Sequence, residues 1–172
     1  MYKISFCFLM LVFAFAASDS ILRAQENSSF EVVSENSELE QIVPESFYFA
    51  GLSGKTQRRN SAVAKLGEKR FIVAGLVDVS GYSTEISGVY EGFFITDSNV
   101  KFGKKKVKTG AYGFGFAKDG TVNLFDLSGK KIITVKTTRD DEMSRPRPLM
   151  MMSDKDGVKL FKGRDFVLVR PR

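Results

Sequence analysis

The chain has 172 residues and a formal net charge of +6, with 43% hydrophobic residues, 16 phenylalanines, one cysteine and no histidine. Because histidine is the commonest general base and transition-metal ligand, a Ser-His-Asp triad, a Cys-His pair and a histidine-ligated metal are excluded. We expect no metal, no cofactor and no catalytic residue. A lone cysteine cannot form an intrachain disulfide, so the fold must depend on its hydrophobic core.

The N-terminus has the pattern of an export signal. Lys3 precedes an uncharged apolar run from Ile4 to Ala17, and Ala14-Phe15-Ala16 supplies the small residues that signal peptidase recognises. The run is shorter than the ~20 apolar residues of a membrane-spanning helix. We therefore predict a cleaved signal peptide over residues 1–17. The processed protein would be disulfide-free, periplasmic or extracellular, and not an integral membrane protein; a retained N-terminal anchor is the alternative.

The next segment is acidic and polar. Residues 18–50 contain seven acidic residues and one basic residue, and the stretch from Gln25 to Glu40 is rich in Ser, Asn and Glu. Such composition is typical of a disordered segment. We predict a flexible acidic arm over residues 18–45, either a solvated tether or an arm that folds back onto the basic remainder of the chain.

A β-rich domain is predicted over residues 46–172. Short apolar runs alternate with turn residues, and no stretch of helical length has a sustained apolar stripe. The fold class is all-β, an antiparallel β-sandwich or flattened barrel of roughly eight to ten strands. The predicted strands cover 47–52, 62–66, 70–79, 89–96, 112–116, 122–127, 131–137, 158–161 and 166–169.

The strand at 112–116 has the clearest pattern. Tyr112, Phe114 and Phe116 alternate with Gly113 and Gly115, which places three rings on one face and leaves the other face bare. A bare glycine face allows close approach of another layer. Alternation therefore explains these glycines better than a dinucleotide-binding loop does.

Four carboxylates provide the basis for an enzymatic alternative. Asp78, Glu85, Glu91 and Asp126 lie in or beside predicted strands. Without histidine, acid–base catalysis usually falls to carboxylates, and a glycosidase needs two of them about 5–9 Å apart in a cleft. A carboxylate-dependent hydrolase acting on a glycan is the hypothesis that this set supports.

The densest basic cluster predicts a binding surface. Lys104, Lys105, Lys106 and Lys108 form a predicted hairpin loop just before Tyr112. Outside the cell, such a cluster favours polyanions such as anionic lipid headgroups or acidic polysaccharide, whereas export argues against nucleic acid. The alternative is that these lysines only guard an exposed strand edge.

Several segments resemble one uncharacterised family of exported bacterial β-rich proteins of unknown function. They are VKFGKKKVKTGAYGFGF (100–116), AGLVDVSGYS (74–83), YEGFFITDS (90–98) and TTRDDEMSRPRPLMM (137–151). The resemblance implies a β-rich exported domain and carries no catalytic residues.

The sequence thus predicts a non-catalytic exported binding or envelope-associated module. The lysine cluster and Tyr112 are its candidate ligand-binding residues. Two alternatives stay open, the glycan hydrolase and a structural protein that self-assembles through exposed strand edges. The oligomeric state is not predicted.

Overall fold

The computed structural model describes residues 30–67 and 70–172, in which two antiparallel sheets pack face to face. The all-β sandwich is therefore confirmed, and it is open at its edges rather than closed into a barrel. The predicted signal peptide and residues 18–29 of the predicted arm lie outside the described residues. No helix within the described ranges is long and apolar enough to cross a membrane.

The described chain forms fourteen strands and two short helices. In chain order they are β1 (Phe30–Val32), α1 (Asn36–Ile42), β2 (Ser46–Phe49), β3 (Leu52–Leu66), β4 (Arg70–Val77), α2 (Thr84–Ser87), β5 (Gly92–Thr96), β6 (Val100–Phe102), β7 (Lys105–Val107), β8 (Gly110–Ala117), β9 (Thr121–Phe125), β10 (Lys131–Lys136), β11 (Thr138–Arg139), β12 (Arg147–Asp154), β13 (Gly157–Gly163) and β14 (Asp165–Pro171). The prediction of eight to ten strands was too low, mainly because β1, β6, β7 and β11 have only two or three residues each.

The first sheet has eight strands in the order β1-β3-β4-β5-β8-β9-β10, with β2 paired to β3. The second has six strands in the order β12-β13-β14-β6-β7, with β11 paired to β14. Every pairing is antiparallel. β14 therefore carries two different strands, β6 and β11, along one edge, and this arrangement creates the candidate site.

Two apolar layers explain why β4 and β5 are hydrophobic on both faces. Ile72 and Phe94 belong to the core between the sheets, where the Phe94 ring lies 5.2 Å from the ring of Phe102. Val73 and Phe93 belong to a second core on the outer side of the first sheet. The continuous apolar runs of these strands follow because both of their faces are buried.

The glycine face of β8 is covered as its alternation predicted. A Cβ at Gly113 would overlap the ring of Phe49, and a Cβ at Gly115 would overlap the backbone oxygen of Val89. The aromatic face turns the other way, where Phe114 is fully buried between the sheets. Glycine thus lets the second apolar layer touch the strand backbone.

The fold begins earlier than predicted. Phe30 is 2% exposed and pairs with Leu66 across β1 and β3, so the predicted flexible arm is wrong from Phe30 onward. Val33 and Val43, on either side of α1, belong to the second core. A few isolated apolar residues anchor this segment to the two cores. Because the segment is polar on average, its composition predicted disorder.

The predicted strand at 47–52 is interrupted by a turn. Ala50 has φ 48° and Gly51 has φ 88°, the left-handed pair that a two-residue hairpin turn requires. The chain therefore reverses between β2 and β3. Alanine rarely adopts positive φ, so this turn gave no sequence signal.

Candidate functional site

A gap along one edge of β14 forms the candidate site. β6 pairs with β14 at Val169 and β11 pairs with it at Phe166. Among the described strands, none pairs with Val167 or Leu168 on that edge. The Gly103 amide, at the end of β6, donates to the Leu168 carbonyl at 2.8 Å. β6 and β11 thus pair with different parts of this edge of β14, and the groove lies between them.

The β6–β7 turn and β10 form the walls of this groove. Gly103 has φ 57°, and a Cβ there would overlap the side chain of Val135 in β10. Glycine at this position therefore permits both the left-handed turn and its contact with β10. The groove has a volume of about 480 Å³, within the range of about 300–1,000 Å³ typical of small-molecule sites.

Apolar side chains make up part of the lining. Val135, Phe166 and Leu168 contribute to it, and Val167 also borders the groove although its side chain belongs to the core between the sheets. Val167 is 2% exposed, whereas the other three are partly buried and reach the groove surface. The site therefore offers an apolar surface to a ligand.

Four cationic side chains line the same groove, namely Lys104, Lys105, Lys136 and Arg170, and none of the described residues that line it is a carboxylate. Across residues 30–67 and 70–172, no acidic side chain forms an ion pair with any of the four. Concave sites lined by charge of one sign concentrate ions of the opposite sign. The groove is therefore electrostatically suited to an anion.

Arg170 has the most constrained of these cationic groups. Its Nη2 donates to the Gly103 carbonyl at 2.9 Å, which ties β14 to the β6–β7 turn. Its Nε is buried and has no hydrogen-bond partner within the described chain. A buried donor without an acceptor costs about 1–3 kcal/mol, so the Nε is a local cost of the tie between β14 and the turn.

The structure brings two of the predicted lysines into the groove. Lys104 lies in the turn, while Lys105 and Lys106 belong to β7, so the predicted hairpin loop is shorter than expected. Lys106 pairs with Lys101 across β6 and β7 and does not line the groove. Lys108 follows β7 and also lies outside the groove lining.

Tyr112, the fifth predicted ligand-binding residue, has a structural role instead. Its hydroxyl donates to the Lys108 carbonyl at 2.9 Å. Its ring packs against the core between the sheets, and burial raises the pKa of the hydroxyl. It does not line the groove.

The sequence reasoning missed Lys136 and Arg170. Alternation offered a partial signal, because Val167 and Val169 point into the core, so Phe166, Leu168 and Arg170 share the opposite face of β14. No local pattern shows that β10 and the β6–β7 turn lie beside that strand.

The four candidate catalytic carboxylates lie outside the groove lining. Asp126 accepts hydrogen bonds from the backbone amides of Ser128 and Lys130 at 3.0 Å each, and Asp78 accepts one from Ser80 at 2.9 Å. Hydrogen bonds from the serines lower the pKa of both carboxyls. These two groups organise turns.

Glu91 and Glu85, the other two candidate carboxylates, also lie in environments that differ from a catalytic cleft. Glu91 forms an ion pair with Lys162 and accepts from the Phe116 amide at 2.8 Å, so it joins the two sheets. Glu85 is exposed in the first turn of α2. Neither Glu85 nor Glu91 is among the described residues that line the groove.

No protein-family model, no curated protein and no solved structure matches the chain. Within residues 30–67 and 70–172, no group of three or more Asp, Glu, Cys or His side chains is arranged to hold a metal ion. Function is therefore inferred from the groove itself.

Proposed function

We propose that this protein is a non-catalytic, exported binding module and that the groove beside β14 holds an anionic component of the cell envelope. The observation that carries the proposal is a concave surface on which the described residues supply four cationic side chains, none in an ion pair with another described residue, and no carboxylate. Lys104 and Lys105 link it to the cluster that suggested polyanion binding from sequence. Lys136 and Arg170 extend that cluster across two other strands.

The carboxylate-dependent hydrolase has weaker support. Glycoside hydrolysis needs an acid with a raised pKa beside a second carboxylate in one cleft. Hydrogen bonding instead lowers the pKa of Asp78 and Asp126, and Glu91 is engaged by Lys162. The groove provides positive charge for binding rather than paired acids for proton transfer.

Self-assembly through strand edges has weaker support as well. The edge strands β1 and β12 contact each other, so each sheet has one edge covered by the other sheet. β7 and β10, the strands at the other ends of the two sheet orders, carry Lys105, Lys106, Lys131 and Lys136, all exposed. Edge lysines oppose pairing with another chain.

A salt series with dextran sulfate tests the proposal. We expect the full chain to bind at low salt and to weaken as salt rises, because the contact is electrostatic. The groove variant Lys104→Glu/Lys136→Glu should bind at least tenfold more weakly. The control Lys118→Glu/Lys130→Glu makes the same charge change at two exposed turns. Its affinity for dextran sulfate, measured at the same salt concentration, should stay within about twofold of that of the unmodified protein.

Two results would overturn the proposal. One is no binding at low salt. The other is an equal loss in the groove and control variants, which would indicate a response to net charge alone. Circular dichroism spectra and urea midpoints of both variants establish that each is folded before binding is compared.

A further inference from the structure

We infer that the ligand of the groove is a single-chain anionic lipid, an alkyl or acyl chain that ends in a phosphate or carboxylate. This inference rests on the proposed function and names its ligand class. The observation behind it is that one groove combines an apolar lining with a cationic one. A ligand that fits both must itself have a charged end and an apolar chain.

The apolar lining favours a hydrocarbon chain over a sugar polymer. Val135, Phe166 and Leu168 reach the groove surface, and the uncharged hydroxyls that line it are those of Thr134 and Thr138. A bound saccharide needs hydrogen-bond partners for many hydroxyls, since polar groups left unpaired lose affinity. A hydrocarbon chain needs none and gains from every methylene removed from water.

The cationic groups around Arg170 favour a ligand with an oxyanion headgroup. The Nε of Arg170 is buried without an acceptor, while its Nη2 is fixed to the Gly103 carbonyl at 2.9 Å. Lys104 follows Gly103 in the same turn and lines the same groove. A phosphate or carboxylate oxygen in the groove would accept charge-assisted hydrogen bonds from the ammonium of Lys104 and from the guanidinium of Arg170, and hydrogen bonds of this kind are the strong ones.

The size of the groove favours one chain over two. Its volume is about 480 Å³, and a water-sized group takes up roughly 30 Å³. It therefore holds on the order of 16 such groups, which is close to a dodecyl chain with its phosphate.

Titration calorimetry with monomeric dodecyl phosphate, below its aggregation concentration, tests the inference. Inorganic phosphate supplies the charge without the chain, and dodecyl maltoside supplies the chain without the charge. We expect dodecyl phosphate to bind at least tenfold more tightly than either. Decyl phosphate lacks two methylenes and should bind roughly fifteenfold more weakly, since each buried methylene contributes about fourfold in affinity.

Matched variants test whether the hydrocarbon chain of dodecyl phosphate lies in the groove. Leu168→Thr replaces an apolar side chain of the groove and should weaken dodecyl phosphate at least fivefold. Ile132→Thr makes a similar change at a β10 side chain that is 43% exposed and outside the groove lining, and it should leave binding unchanged. Equal effects of the two substitutions would overturn the assignment to the groove.

The outcomes separate this inference from the proposed function. If the groove variants lose dextran sulfate but dodecyl phosphate binds no better than inorganic phosphate, the lipid inference fails and the anion-binding proposal stands. If neither probe binds, both fail. If phosphatidylglycerol vesicles retain the protein while monomeric dodecyl phosphate does not bind, the ligand is a bilayer surface and the inference is overturned.

Discussion

Tyr90 has the largest side chain that the fold buries completely among the described residues, and its hydroxyl interacts with that of Tyr82 but makes no hydrogen bond of good geometry within the described chain. Its ring stacks on Phe49 with centroids 3.9 Å apart and meets Tyr82 edge-on at 5.4 Å. Burial raises the pKa of the Tyr90 hydroxyl well above its ordinary value. The ring thus stabilises the second core, while the hydroxyl is a local cost.

The buried hydroxyl predicts a loss of stability in alkaline solution. An unfolded tyrosine ionises near pH 10, whereas the folded state keeps Tyr90 protonated. The unfolded state therefore releases more protons, and the free energy of unfolding should fall as the pH rises above about 10. The variant Tyr90→Phe should be as stable as the unmodified protein at pH 7, or about 1 kcal/mol more stable, and should show a shallower alkaline decline.

Urea midpoints at pH 7 and pH 10.5 measure both effects. Tyr48→Phe is the control, because that ring is 58% exposed, and it should match the unmodified protein at both pH values. A loss of more than about 1 kcal/mol at pH 7 in Tyr90→Phe would show that the hydroxyl makes a stabilising hydrogen bond.

Single residues also mark where sequence reasoning about the site succeeded and failed. Lys104 and Lys105 were recognisable because they are neighbours in a dense cluster. Lys136 and Arg170 were not, since they reach the groove from strands that pair in different sheets. Local patterns report which face of a strand is buried, but they do not report which strands become neighbours.

At the scale of elements, β1 and α1 change the boundary of the domain. β1 closes one edge of the first sheet, and Lys65 of β3 forms an ion pair with Glu38 of α1. Phe30 belongs to the core between the sheets. This N-terminal segment therefore protects a strand edge and fills the core, neither of which a flexible arm would do.

Truncation of Phe30 tests this boundary. Phe30→Ala should reduce the free energy of unfolding by about 3–5 kcal/mol, as is usual when a fully buried phenylalanine is removed. Glu31→Ala, at the neighbouring exposed position of β1, should change it by less than about 0.5 kcal/mol. The measurement is urea denaturation of both variants. Equal, small effects would restore the prediction of a dispensable arm.

The elements that sequence predicted well are those with strong alternation or glycine turns. β8 belongs to this group, and Gly120 and Gly129, with φ 75° and 92°, form the turns before and after β9. β3 was predicted only at its apolar end, because its first half is polar and exposed. Short edge strands such as β11 gave no signal, since two residues cannot establish a period.

At the scale of the whole molecule, the two sheets are joined on one side by the contact of β1 with β12, and beside β14 the Gly103 turn of the second sheet meets Val135 of the first. The groove lies where that second contact borders the gap between β6 and β11 along β14. Its position thus follows from the topology, and the apolar cores on both sides of the first sheet keep its walls in place.

An ion pair links the sheets at a second point. Glu91 precedes β5 in the first sheet and Lys162 lies in β13 of the second, with side chains 26% and 33% exposed. Glu91 also accepts the Phe116 amide at 2.8 Å. Partial burial limits screening by solvent, so this pair should contribute more than a surface pair does.

A double-mutant cycle of Glu91→Gln and Lys162→Met measures that contribution. Each single variant should lower the free energy of unfolding, because it leaves a partly buried charge without its partner. The double variant should lose less than the sum, with a coupling of about 1 kcal/mol or more. Urea denaturation of the four proteins provides the values.

The pair Arg58 and Glu45 is the matched control. Its atoms lie 3.3 Å apart, but its side chains are 41% and 90% exposed, so its coupling should stay below about 0.5 kcal/mol. If the two cycles give the same coupling, the Glu91–Lys162 pair behaves as a surface contact. The sandwich would then be held together by its apolar core alone, and the groove would keep its shape without an electrostatic link between the sheets.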